Sequence, residues 1–153
     1  MGGQLVTGMN RTADDDPDLL EHVLLPVANE ADARATAREL EPYHPGHVTA
    51  LHVVEKGGGV PDKTPVEQSE QLAEDSFAAV RTVFPDADEH TAYARDVAGA
   101  IFDAADDVGA TAIAYRSRGG NRIMQFLSGD LSLKLVTQAD RPVIALPRVE
   151  SEE

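Results

Sequence analysis

"HVLLPVANEADARATARELEPY", His22 to Tyr43, is the stretch that decides the fold. Its first six residues, His22 to Val27, form an almost continuous apolar run of the kind found in strands covered on both faces. Immediately after it Asn29 offers a helix N-cap, and Glu30 and Asp32 place acids in the first turn. Ala31, Ala35 and Leu40 then recur near helical spacing until Pro42 stops the helix. A doubly covered strand that runs straight into a helix is the unit from which parallel α/β sheets are built.

Moving outward, the same unit repeats. "HVTALHVVE", His47 to Glu55, reads as a second strand, and "KGGGVPDKTP" as a loop. From about Pro65 to Phe84 a helix is predicted in which Ala73, Phe77, Val80 and Phe84 share one face, with Pro85 ending it. A weaker strand covers about Glu89 to Arg95. Asp96 caps the next helix, whose face is Val97, Ile101, Ala104, Ala105 and Val108. "TAIAY", 111–115, is the fourth strand. Leu131 and Leu135 stand one turn apart in "DLSLKLVTQA", and "RPVIALP", 141–147, is the fifth strand. Strictly alternating strands and helices need right-handed crossovers, so the expectation is a five-stranded parallel doubly wound sheet of order 3-2-1-4-5. One α/β domain is expected over 18–148, with a floppy tail at 1–17 and an acidic tail at 149–153.

Composition narrows the function. With 27 acids against 13 bases and a net charge of −14, general affinity for nucleic acid or an acidic membrane surface is disfavoured. Aspartate (15) exceeds glutamate (12) and arginine (10) exceeds lysine (3), a balance that points to a salt-rich cytoplasm where self-repulsion is screened. No run of 18 apolar residues and no leader pattern occurs, so a soluble cytoplasmic protein is expected. The chain has no cysteine, which removes disulfide and thiolate chemistry. His44 and His47 flank a Pro-Gly turn and make a poor metal pair, and His22 and His52 read as packed or hydrogen-bonded strand residues. Ser128 reads as a helix N-cap.

Against this acidic background, no carboxylate occurs between Asp107 and Asp130, while Arg116, Arg118 and Arg122 surround Gly119-Gly120. In a 3-2-1-4-5 sheet the loop after strand four faces the end of strand one, so 116–121 and Val27, Ala28 and Asn29 should meet at the crevice where ligands bind. Two readings stay open. The arginines form a solvated loop paired with surface acids, or they supply guanidinium forks to an anion held by backbone N–H groups at Gly119 and Gly120.

The chain from about Leu20 to Leu146 resembles the universal stress protein family. Its ATP-binding members carry Gly-x2-Gly-x9-Gly-Ser/Thr after strand four. Here the matching positions are Arg116, Ser117, Arg118, Gly119, nine residues, Gly129 and Asp130, so the first glycine and the hydroxyl residue are replaced. The family's aspartate at the end of strand one falls on Val27-Ala28-Asn29-Glu30, where Ala28 carries no carboxylate, and its adenine-contacting valine falls on Val53. "RPVIALP" matches the family's last strand.

Asp130 would place a like charge near a phosphate at the last helix's N-terminus, costing on the order of 1 kcal/mol in water and about 4 at an effective dielectric near 20. Its other reading is a carboxylate that stabilises the helix start. Arg116 could fill the phosphate space and pair with Asp130.

The resemblance therefore implies the branch lacking the ATP signature: a non-catalytic stress or regulatory protein, without a resident cofactor, acting on protein partners or a small anionic effector. ATP binding through an altered loop, or slow nucleotide hydrolysis, are the alternatives. A homodimer is expected through the edge strand Val143, Ile144, Ala145 and Leu146.

Overall fold

The computed structural model describes residues 18–55, 66–116 and 129–147. Strands and helices alternate along them: β1 (His22–Pro26), α1 (Glu30–Leu40), a 3-10 turn (Glu41–Tyr43), β2 (His47–Glu55), α2 (Val66–Arg81), β3 (Asp88–Ala94), α3 (Val97–Val108), β4 (Ala112–Arg116), α4 (Gly129–Thr137) and β5 (Val143–Leu146). The strands form one sheet of order β3-β2-β1-β4-β5, and every neighbouring pair is parallel. The fold is thus the expected doubly wound α/β architecture.

Side-chain alternation along the central strands builds two cores. Leu24, Leu51, Val53, Ile113 and Tyr115 pack with α3 and α4 through Val97, Ile101, Leu131 and Leu135. On the opposite face Val23, Leu25, Val27, Val48 and Ala50 meet α1 and α2 through Ala33, Ala37, Leu40, Phe77 and Val80. Each fully buried leucine or isoleucine of these layers contributes about 1.5–3 kcal/mol relative to exposure.

Some local expectations shift. The buried face of α1 is not Ala31, Ala35 and Leu40: Ala31 is exposed and Ala35 half-buried, while Ala33, Ala37 and Leu40 form the apolar row. Beside it runs a second buried row, Asp32, Thr36 and Glu39. Pro42 lies in the 3-10 turn that follows α1, where its missing N–H costs nothing. Helix α2 ends at Arg81 rather than Phe84: the Val83 N–H bonds to the Val80 carbonyl three residues back, so the chain tightens into a turn ahead of Pro85.

Three devices fix the ends of elements. The Asp96 side chain accepts from Gly99 N at the start of α3, and Gly109 closes that helix at φ 72° with its N–H on the Ala105 and Asp106 carbonyls. Thr111 clasps the entry to β1: its N–H donates to the His22 carbonyl at 2.7 Å and its Oγ1 accepts from the His22 N–H at 3.0 Å. Gly46 passes so close to β1 that a Cβ there would lie 2.7 Å from the Glu21 carbonyl oxygen.

Strand β3 is an edge strand with alternating exposed and half-buried residues; among the described residues it pairs only with β2. Among the same residues no helix is long and apolar enough to cross a membrane.

Candidate functional site

Ligands of doubly wound sheets lie beyond the carboxyl ends of the strands, beside the central β1–β4 seam. Here that rim is formed by the end of β1 with the start of α1, the end of β2, and Arg116 at the end of β4.

The β1–α1 turn is closed by its own polar groups. The Asn29 side chain accepts from the Asp32 N–H at 2.8 Å, and Asp32 Oδ2 accepts from the Ala28 N–H at 2.9 Å. This exchange satisfies two backbone donors at the helix start, in the manner of a capping box shifted by one residue. Asp32 is itself buried, at 3% exposure. The turn therefore does contain a carboxylate, four residues beyond Ala28, and it is engaged with the backbone. Val27 donates its N–H to the Leu51 carbonyl at 2.8 Å.

At the end of β2, Val53 is buried in the α3-side core, so any contribution to a ligand would come from its backbone. One position earlier, on the α1 side, His52 is 5% exposed, and its Nδ1 has no hydrogen-bond partner among the described residues. Burial lowers the His52 pKa from its ordinary value, and a hydrogen bond to the Val27 backbone opposes that shift in part. Burial thus favours the neutral ring over the charged one.

Arg116 does not extend freely into the space of a phosphate. Alternation along β4 sends Ile113 and Tyr115 to the α3 side and Ala114 to the α1 side. Arg116 follows Ala114, and its Nε donates to Glu39 Oε2 at 3.0 Å, with the two side chains 14% and 4% exposed. The described partner of Arg116 is thus the last turn of α1. Gly129 and Asp130 open α4. Ser117, Arg118, Gly119, Gly120, Arg122 and Ser128 lie outside the described residues, as do the tails, so the proposed anion loop has no structural account beyond its Arg116 end.

Sequence reasoning took Asp32 only as a first-turn acid and did not single out Glu39, while His52 is packed as expected. The first two left a signal: Asp32, Thr36 and Glu39 repeat at i, i+4 and i+7, immediately beside the apolar row Ala33, Ala37 and Leu40. A polar row adjoining an apolar one at helical spacing marks polar groups that enter the core with their partners.

Two further histidines, His22 and His47, meet at the opposite end of the sheet. His22 Nε2 meets Thr49 Oγ1 at 2.7 Å, His47 Nε2 meets Asp88 Oδ2 at 2.8 Å, and the two rings pack edge to face at 4.8 Å between centroids. Burial, and then the neighbouring His47, lower the His22 pKa. Among the described residues no group of three or more histidines and acids is placed to hold a metal ion.

A family model described as Universal stress protein family matches residues 20–147. Among solved structures, the universal stress protein from Archaeoglobus fulgidus in complex with dAMP aligns with a TM-score of 0.61 at 20% identity, covering 85% of this chain and 100% of that one. Universal stress protein UspA from Lactobacillus plantarum aligns with a TM-score of 0.59 at 22% identity, covering 86% and 100%. A universal stress protein in complex with cAMP aligns with a TM-score of 0.56 at 12% identity, covering 82% and 97%. Comparison with curated proteins finds none that match.

Proposed function

The chain belongs to the universal stress protein family, and on that premise we propose that it is a non-catalytic regulatory protein that acts through protein partners or a small anionic effector and binds ATP weakly or not at all. The observation that carries this reading is the Arg116–Glu39 ion pair. It occupies the end of β4, where the ATP signature has its first glycine, with a guanidinium already committed to a buried acid. Ala28 adds to it, since the position itself offers no carboxylate to hold a nucleotide's polar groups, and the Asp32 carboxylate of the same turn is buried on the Ala28 N–H. A small anion at Gly119-Gly120, aided by Arg118 and Arg122, fits the acid-free composition of that segment.

Self-association belongs to the same reading. β5 is the other edge of the sheet, with Val143 and Ile144 half-buried and Ala145 exposed. Leu133 and Val136 of α4, one turn apart, are 62% and 59% exposed. An open strand beside exposed apolar residues fits pairing of two copies through β5 about a two-fold axis.

The second reading is a nucleotide-binding switch. It is favoured by the dAMP and cAMP complexes of proteins that share the fold. Calorimetric titration of ATP in molar salt separates the two. The first reading expects a dissociation constant weaker than about 100 μM, equivalent to about −5.5 kcal/mol, and a low-micromolar constant would overturn it. Phosphate release over hours would instead identify slow hydrolysis.

A further inference from the structure

The open edge of β3 lies on the far side of the sheet from β5, and its surroundings differ from those of a protected edge. Edge strands are commonly blunted by shortness, proline or lysine. β3 is seven residues long against four in β5, and its sequence, "DEHTAYA", contains neither proline nor lysine. In a parallel strand with one neighbour, alternate residues direct their N–H and C=O groups to the open side.

Both faces of this edge carry a groove. On the α2 side a cavity of about 310 Å³ has Ala73 and Phe77 as its floor, Glu70 and Glu74 along α2, and Thr91 and Tyr93 from β3. On the α3 side a cavity of about 300 Å³ is floored by Ala92, Ala100 and Ala104, with Asp103 and Asp107 along the helix. Of β3, Glu89 and Thr91 line the first groove and Ala92 and Ala94 the second, while His90 and Tyr93 border both. An added strand has the same period, so its successive side chains would enter the two grooves in turn.

The charges select the occupant. Of the acids lining the grooves, Glu89 is paired with Arg81 at 3.6 Å and Asp96 caps α3. Glu70, Glu74, Asp103 and Asp107 have no ion-pair partner among the described residues, and all four are exposed. Lysine or arginine side chains of an incoming strand would lay their aliphatic stems over the alanine and phenylalanine floors and bring their heads to these carboxylates.

We propose that the β3 edge is a docking site for an extended basic segment of a partner protein, which joins the sheet as a sixth strand between α2 and α3. Main-chain pairing supplies the affinity and the two acid-walled grooves supply the selectivity for basic side chains.

The test is a titration of the full chain, followed by backbone amide NMR at the lowest salt that preserves the native spectrum. The probes are an acetylated, amidated heptapeptide Lys-Lys-Val-Val-Lys-Lys-Val, which presents lysines to both faces of an added strand, a glutamate-for-lysine counterpart, and a copy of the lysine peptide N-methylated at every residue. The expected result is saturable shifts concentrated on β3 and the facing turns of α2 and α3, with binding at least tenfold weaker for both control peptides. The combined change Glu70→Gln, Glu74→Gln, Asp103→Asn and Asp107→Asn should weaken the lysine peptide at least tenfold while leaving the remaining amide spectrum native. Equal binding of the N-methylated peptide, undiminished binding to the charge-neutralised variant, or absence of β3 shifts overturns the proposal. Cross-strand contacts from β3 to the chain's own residues 1–17, or to a second copy, in the peptide-free protein overturn it as well.

Discussion

Arg116 and Glu39 lie 77 positions apart in sequence and meet, Nε to Oε2, at 3.0 Å, which ties the end of the fourth strand to the last turn of the first helix. The pair is mostly withdrawn from water, so neither member is replaceable alone. Removing one member of such a pair leaves the other charge buried, at a cost of about 3–5 kcal/mol. Arg116→Gly is therefore expected to lower stability by about 3 kcal/mol, and adding Glu39→Gln should restore part of it. Equilibrium denaturation of the two single variants and the double variant checks this. Strictly additive losses would mean that the two groups are not energetically coupled.

Association through β5 is open to a direct test. Ala145 is exposed in the middle of that strand, and a lysine there would place a charge against its own symmetry copy. Sedimentation at high salt is expected to give a dimer for the unaltered protein and a folded monomer for Ala145→Lys. A monomer for the unaltered protein at micromolar concentration rules the β5 dimer out.

Acid should destabilise the fold through two histidines. Burial lowers the pKa of both His52 and His22 in the folded protein, so the unfolded chain takes up protons first, near the ordinary value of about 6.5. Their contribution to stability is present above that pH and is lost as pH falls through it toward the depressed folded values. Thermal midpoints should be level above about pH 7.5 and fall below about pH 6.5. His52→Gln should flatten the upper part of the acid limb, and an unchanged pH profile would remove His52 from the account.

The two constrained glycines should respond to alanine for different reasons. At Gly46 the new methyl group would meet the Glu21 carbonyl at 2.7 Å, and the forced movement of backbone is expected to cost about 1–3 kcal/mol. At Gly109 there is open space around the position, but φ is 72°, so the cost should be about 1 kcal/mol. Chemical denaturation of Gly46→Ala and Gly109→Ala measures both, and a Gly46→Ala protein as stable as the parent contradicts the packing described there.

The architecture was legible because the apolar runs and helical faces repeat in strict alternation, and right-handed crossovers leave few ways to arrange them. The α3 face was read correctly from Val97, Ile101, Ala104 and Ala105, which are all buried. The α1 face was misread by two positions because alanines occupy 31, 33, 35 and 37, and periodicity cannot separate rows of the same residue. Leu40 with Asp32, Thr36 and Glu39 identifies the buried side only once polar residues are allowed into the core. Arg116 was singled out by its glycine-replacing position, yet its partner stayed hidden. That pairing depends on β4 directing alternate residues to opposite faces, and on which helix covers the Arg116 side.

The clasp between Thr111 and His22 spans 89 positions. One side of β1 can be satisfied early by β2, but the other waits for β4 to be synthesised. At about 5–20 residues per second that delay is roughly 4–18 s, during which the apolar Val23-Leu24-Leu25 edge of the nascent sheet has no permanent neighbour. The centre of the finished sheet is thus sealed only after the whole β3–β2 half has been made. Its safe passage off the ribosome depends on keeping that seam away from other chains until residues 111–116 arrive.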